Sequence, residues 1–208
     1  MSSYDKFYSN LLNSWKPFHE SGGIRGWAAS YYGIVSSIIN ENNYKICAEV
    51  GIGYGFHARQ ILDNTNLDKL YLIDPMQFYP NDQFCKDVQK FGGFDLLIKN
   101  IKIHLSKYSD IYEWFRVPSL SIDNSQIPDN SLDLVFIDGD HSYEAVSKDI
   151  PFWWNKVRSG GMLLGDDYES CHPGTTKAVD EFSMKLNIPV TLLTKENNSY
   201  PIYCFKKP

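Results

Sequence analysis

Short apolar runs alternate with amphipathic stretches along most of this sequence, and this alternation is typical of an α/β domain built on a parallel sheet. The apolar runs that predict strands are residues 44–50, 70–73, 101–105, 132–137 and 162–164. The amphipathic stretches that predict helices are residues 58–62, 143–157 and 175–186. The run at 132–137 is apolar almost throughout, as expected of a strand with both faces buried.

The two ends of the chain depart from this alternation. Residues 190–193 and 201–205 are strand-like and separated by a short polar segment, which predicts an antiparallel hairpin. The first 40 or so residues, by contrast, have a helical pattern. We expect one domain over residues 1–208, with about 1–43 as a helical cover or lid and about 44–208 as the core.

Charge and cysteine content exclude several classes of partner. With 20 basic and 25 acidic residues, the net charge of −5 gives no general attraction for phosphate backbones, so no nucleic acid is expected. No apolar run approaches the roughly 20 residues of a membrane span, and the start of the chain is unlike a signal peptide. The four cysteines lack paired or zinc-type spacing, which fits a reducing, cytoplasmic location.

A glycine-rich turn follows the first predicted strand directly. Gly51, Gly53 and Gly55 lead into a helix, and the carboxyl end of such a strand is where open α/β sheets bind ligands. The third glycine comes one residue earlier than in the dinucleotide-binding pattern. Glu49, two residues before Gly51, would repel a pyrophosphate but suits a cation such as the ammonium of a methionine moiety. Alone, the pattern is equally explained by a tight turn.

Asp74, at the end of the second predicted strand, makes ligand binding by the glycine turn the favoured interpretation. A carboxylate at this position can accept hydrogen bonds from both hydroxyls of a ribose, although taken alone it is equally explained as a helix cap or turn residue before Pro75. Together with the glycine turn and Glu49, Asp74 favours S-adenosylmethionine as the ligand.

Carboxylates also follow the two strands at 132–137 and 162–164. If these strands are neighbours, Asp138, Asp166 and Asp167 meet at one rim, where their mutual repulsion would be relieved by a hard cation such as Mg²⁺. His141 could then take a proton from a substrate hydroxyl as a general base. The alternative is that Asp140 and Asp167 are helix caps and His141 is an ordinary rim residue.

Two segments carry a resemblance to a known family. Residues 48–55 (AEVGIGYG) resemble the first motif of class I S-adenosylmethionine-dependent methyltransferases. Residues 136–144 (FIDGDHSYE), with the later GG and DDY, look like the narrower group of macrocin O-methyltransferase and cephalosporin hydroxylase-type enzymes, a methyltransferase family 24-like group.

This resemblance implies a Rossmann-like three-layer sandwich with a seven-stranded, mostly parallel sheet that ends in an antiparallel hairpin. It also implies Mg²⁺ bound by Asp138, Asp166 and Asp167, His141 as the base, and residues near Ser109 against the adenine. Asp138 would border the cofactor as well as the metal.

The expected activity is S-adenosylmethionine-dependent, Mg²⁺-dependent methylation of a hydroxyl of a small molecule, a sugar or glycosylated natural product. An oxidoreductase using NAD or a nucleotide sugar, and a non-catalytic S-adenosylmethionine-binding module, remain as alternatives. The sequence leaves open the acceptor and the formation of a homo-oligomer.

Overall fold

The computed structural model describes residues 33–90, 92–169, 171–193 and 201–208. The predicted N-terminal cover at about 1–43 therefore lies mostly outside the described residues. Its described end contains the helix Ile34–Glu41, which lies just before the strand that starts at Ile46.

One mixed sheet organises the described part of the chain. Its seven strands follow the order β3-β2-β1-β4-β5-β7-β6. Their bounds are β1 Ile46–Val50, β2 Lys69–Ile73, β3 Tyr112–Phe115, β4 Leu132–Ile137, β5 Val157–Gly165, β6 Thr191–Leu193 and β7 Ile202–Lys206. Strands β1 to β5 are mutually parallel, whereas β7 pairs antiparallel with both β5 and β6. This confirms the mostly parallel sheet and the C-terminal antiparallel pair.

Helices cover both faces of this sheet. Within the described residues they are α1 Ile34–Glu41, α2 Phe56–Asn64, α3 Gln83–Lys90, α4 Gly93–Leu105, α5 Tyr143–Lys156 and α6 Pro173–Leu186, with 3₁₀ turns at Ser106–Tyr108 and Ser119–Ser121. Helices α1 to α4 contribute to one apolar core, and α5 and α6 contribute to the other. The three-layer α/β architecture expected from the resemblance is confirmed.

Strand β1 shows why both cores form. Because successive side chains of a strand point to opposite faces, Cys47 packs in the core with α1 to α4, while Ala48 and Val50 pack in the core with α5 and α6. Glu49 shares the face of Cys47. The only charged side chain of β1 therefore points towards α2 rather than towards solvent.

The strand predicted at 101–105 is wrong, because these residues form the last turns of α4. Their strict apolar–polar alternation imitates a strand, but Leu97, Ile101 and Leu105 are buried at the four-residue spacing of a helix face, and Ile103 is 62% exposed. The third strand is instead Tyr112–Phe115. This displacement matters for the site, because it changes which residues follow β3.

Candidate functional site

The parallel strands bring the predicted site residues to one edge of the sheet. The amide of Gly51 donates to the Ile73 carbonyl at 2.8 Å, so the ends of β1 and β2 are joined. The amide of Asp138 donates to the Val50 carbonyl at 2.7 Å, and the amide of Asp166 donates to that of Ile137 at 3.0 Å. The segments that follow β1, β2, β4 and β5 are therefore neighbours.

The three glycines of the turn differ in how closely neighbouring atoms approach them. Each has a positive φ, at +81°, +49° and +75° for Gly51, Gly53 and Gly55. A Cβ on Gly51 would lie 2.1 Å from the Asp138 carbonyl oxygen, and one on Gly55 would lie 3.2 Å from Ile101. At Gly53 the nearest atom would be 4.0 Å away, on Phe84. Gly53 is therefore the least crowded of the three, and its positive φ rather than close packing favours a glycine there.

Asp74 holds the glycine turn in place. Its Oδ2 accepts hydrogen bonds from the amides of Ile52 at 3.0 Å and Gly53 at 3.4 Å, and its Oδ1 accepts one from Met76 at 2.8 Å. Burial raises the pKa of this carboxyl, against the effect of these amides. Asp74 therefore acts as a turn residue, which was the alternative considered from the sequence. A carboxylate has about four acceptor positions, so Asp74 could also accept hydrogen bonds from a ribose, and that role stays a prediction.

Glu49 is buried beside a histidine that the sequence did not single out. Glu49 is 2% exposed, and its Oε1 lies 3.1 Å from Nδ1 of His57 in the first turn of α2. Its Oε2 is buried and accepts no hydrogen bond from any described residue. A buried carboxylate oxygen without a donor is costly, and a cationic ligand group would satisfy it. This fits the ammonium of S-adenosylmethionine predicted for Glu49.

His141 lies between two of the predicted carboxylates. Its Nε2 is 3.7 Å from Oδ1 of Asp138 and 3.4 Å from Oδ2 of Asp167. Burial lowers the pKa of His141, while the charge of Asp167 acts in the opposite direction. The structure thus brings together the end of β4 and the end of β5 around one imidazole.

The carboxylates do not form a ready metal site. Asp166 is 5% exposed, and its Oδ1 accepts the amide of Asp167 at 2.7 Å. Among the residues that the structure describes, no group of three or more His, Cys, Asp or Glu side chains is placed to hold a metal ion. The oxygen donors of these side chains are of the kind that a hard cation prefers. Asp138 and Asp167, however, lie beside His141, and the three carboxylates do not converge on one point.

His172 is a second histidine at this edge that the sequence analysis missed. Its ring centroid lies 4.9 Å from that of His141, and its Nε2 lies 4.0 Å from Oδ2 of Asp167. It is the residue before α6, whose first position is Pro173. Proline is common at the first position of a helix, so Pro173 predicts that His172 lies directly before a helix, where a loop meets the helix start.

Asp140 is not the cap of α5. The N-cap is Ser142, whose hydroxyl accepts the amide of Ala145 at 3.2 Å, while Asp140 Oδ1 accepts the amide of Ser142 at 2.8 Å. Asp140 therefore supports the capping residue from the preceding turn.

Ser109 is the predicted site residue that the structure does not bring to this edge. It is exposed and precedes β3, so it lies at the amino end of a strand whose carboxyl end faces the site. The contact of Ser109 with the adenine therefore stays a prediction from the resemblance. The segment after β3 contains Ser119 instead, whose Oγ donates to Asp149 at 2.6 Å and accepts from Trp153 Nε1 at 2.8 Å.

The strand order, with a glycine turn after β1 and an acid after β2, defines the fold of class I S-adenosylmethionine-dependent methyltransferases. Residues 48–168 match the family model described as a methyltransferase domain. That match covers more than half of the chain, and the chain belongs to this methyltransferase family.

Individual relatives are distant. The uncharacterized protein R132 of Acanthamoeba polyphaga mimivirus is 29% identical over 121 residues, which are 58% of this chain and 50% of that protein. The chain thus spans about half the length of this curated relative.

Two solved structures share the fold. Cofactor-bound Rv0187 from MTB has a TM-score of 0.66 at 14% identity, covering 94% of this chain and 88% of its own. The O-methyltransferase NovP has a TM-score of 0.56 at 20% identity, covering 83% of this chain and 76% of its own. At these identities the likeness is one of fold.

Over the described ranges, no helix has the length and apolar character to cross a membrane.

Proposed function

We propose that this protein transfers the methyl group of S-adenosylmethionine to a hydroxyl oxygen of a small molecule. The observation that carries the proposal is the place of His141, between Asp138 and Asp167 at the same sheet edge as the turn that contains Gly53. A proton acceptor beside a cofactor site is what methylation of a hydroxyl needs, because the hydroxyl must lose its proton.

Three features support S-adenosylmethionine as the cofactor. Gly53 is the least crowded glycine of the turn, and Asp74 is fixed beside it with acceptor capacity for a ribose. Glu49 offers a buried carboxylate oxygen to a cation. This distribution of charge favours a ligand with an adenosyl group and an ammonium, and it disfavours the pyrophosphate of NAD.

In the proposed reaction the cofactor supplies the methyl group and His141 takes up the proton. Bound S-adenosylmethionine supplies an electrophilic methyl group on a sulfonium. The imidazole of His141 would accept the proton of the acceptor hydroxyl, whose oxygen would take the methyl group in place of the sulfur. Because burial lowers its pKa, His141 is neutral at neutral pH and ready to accept that proton. The carboxylates of Asp138 and Asp167 then stabilise the imidazolium.

A divalent cation is a further part of the proposal. Asp138, Asp166 and Asp167 would hold Mg²⁺ or another hard cation, which would lower the pKa of the acceptor hydroxyl. To do so, the three carboxylates would have to converge on one point, and Asp166 would release the amide of Asp167. Loss of activity in excess EDTA, restored by Mg²⁺, is the expected result. Full activity in EDTA would remove the cation from the mechanism.

The proposed acceptor is a sugar or a glycosylated natural product. Phe78 and Tyr79, in the loop after Asp74, are 43% and 48% exposed. Burial and the carboxylates of Asp74 and Asp140 raise the pKa of Tyr79, so its phenol is near the ligand-binding edge. Exposed aromatic rings at a binding edge suit stacking on a sugar ring. The net charge of −5 supports a small acceptor over a nucleic acid.

A methyl-transfer screen tests the proposal. Nucleotide sugars and glycosides are incubated with isotopically labelled S-adenosylmethionine, with Mg²⁺ or with EDTA, and labelled products are sought. For any product, His141→Gln should lower kcat steeply at neutral pH. His104→Gln is the matched control, because it makes the same change in the last turn of α4, where the ring of His104 packs against that of Phe56. Binding of the cofactor with no transfer to any acceptor class would favour a non-catalytic binding module.

A further inference from the structure

The first turn of α6 makes contact with both loops that carry the acidic residues. The hydroxyl of Thr175, a residue that is 1% exposed, donates to the backbone carbonyl of His141 at 3.2 Å. The hydroxyl of the next residue, Thr176, accepts the amide of Glu169 at 2.8 Å. One helical turn therefore holds the loop after β4 through Thr175 and the loop after β5 through Thr176.

The same turn is pressed against the start of α5. A Cβ on Gly174 would lie 2.6 Å from the backbone nitrogen of Tyr143, so a glycine is needed for this approach. The ring of His172 lies 4.9 Å from the ring of His141. The loop of His141 is therefore held by close backbone packing at Tyr143 and by a ring contact at His141 itself.

We propose that Thr175 is a positioning residue, which fixes the loop of His141 so that the imidazole stays between Asp138 and Asp167. The proposal rests on the proposed function, in which His141 is the base. The Thr175 hydroxyl holds the carbonyl of His141 itself, so losing it frees the backbone of the reacting residue. A displacement of about 1 Å at a reacting group can cost about a hundredfold in rate.

Two substitutions of Thr175 separate its hydroxyl from its volume. Thr175→Val removes the donor and keeps the shape, whereas Thr175→Ser keeps the donor. Thr65→Val is the matched control, because the Thr65 hydroxyl also donates to a backbone carbonyl, that of Ile61 at 2.8 Å, but just after the end of α2. Thermal unfolding checks that each variant is folded. Thr175→Ala replaces Thr175→Val if the latter does not fold.

The first readout needs no acceptor. In protein labelled with ¹⁵N-histidine, the ring signals of His141 are identified by their loss in His141→Ala. Thr175→Val should shift these signals, and Thr175→Ser and Thr65→Val should not. Calorimetry with S-adenosylhomocysteine should give the same Kd for all three. Unchanged His141 signals in Thr175→Val, or loss of cofactor binding in that variant, would overturn the proposal.

The second readout uses any acceptor found by the screen. Thr175→Val should lower kcat by roughly ten- to a hundredfold, with KM for S-adenosylmethionine unchanged and with rescue by serine. The effect should disappear in a His141→Ala background, because the two residues act as one unit. An equal loss in both backgrounds would overturn the positioning role. If no acceptor is methylated, the proposed function fails, and the histidine spectrum still decides the role of Thr175.

Discussion

Alanine at Gly51 and alanine at Gly53 should have opposite consequences, although the two glycines are two residues apart in one turn. At Gly51 the new Cβ would meet the Asp138 carbonyl oxygen at 2.1 Å, well inside any real contact distance, and the obstacle is backbone that cannot rotate away. At Gly53 the nearest atom to the new Cβ would be on Phe84, at 4.0 Å, which is an ordinary van der Waals distance. The first glycine is thus required by the contact with the residue after β4, and we expect the second to leave room for the cofactor.

The expected size of each effect follows from strain and overlap. Both positions have a positive φ, +81° at Gly51 and +49° at Gly53, so either alanine costs about 1–2 kcal/mol in backbone strain. Overlap with the Asp138 carbonyl adds about 1–3 kcal/mol at Gly51. Gly51→Ala should therefore lower the free energy of unfolding by about 2–5 kcal/mol, and Gly53→Ala by the strain alone.

Urea unfolding and calorimetry with S-adenosylhomocysteine distinguish the two variants. Gly53→Ala should remain folded but bind at least about tenfold more weakly, because its methyl group would occupy ligand space. Gly51→Ala should show the larger loss of stability. Equal stability of the two variants would refute the packing role of Gly51, and unchanged binding by Gly53→Ala would refute its ligand role.

Three further predictions concern other parts of the molecule. Ser119→Ala should weaken binding of S-adenosylhomocysteine in calorimetry, because Ser119 ties the segment after β3 to Asp149; unchanged binding would place that segment away from the cofactor. Gly165→Ala should unfold at a lower temperature than wild type, and Tyr203→Phe should not rescue it, because the new Cβ would lie 2.2 Å from Cζ as well as 2.1 Å from the hydroxyl; full rescue would contradict this packing. Burial and the charge of Arg59 lower the pKa of His104 from 6.5 to about 4, so the unfolded chain binds its proton first. Stability should then fall by up to about 3 kcal/mol as pH drops through that range, and urea unfolding of His104→Gln should show a smaller fall.

The architecture was predictable because the parallel strands have a local signature. The run at 132–137 is almost wholly apolar, and the structure buries all of β4. The strand at 101–105 was wrong because five residues alternate in polarity, and burial at Leu97, Ile101 and Leu105 shows the helical period only over a longer window. A short window cannot separate these two periods.

The candidate site was predictable to the extent that it follows strand ends. Asp74, Asp138 and Asp166 each follow a parallel strand, and the sheet brings those ends together. The approach of Thr175 to His141 depends on how α6 packs on α5, which no local pattern encodes. The cost of Gly51→Ala likewise depends on a contact between residues far apart in the sequence.

Calorimetry with S-adenosylhomocysteine and with NAD, on wild-type protein and on Asp74→Asn, is the decisive test of an S-adenosylmethionine site at this sheet edge. S-adenosylhomocysteine should bind, NAD should not, and Asp74→Asn should weaken binding at least about tenfold. Binding of NAD in preference to S-adenosylhomocysteine, or identical binding by Asp74→Asn and wild type, would contradict it.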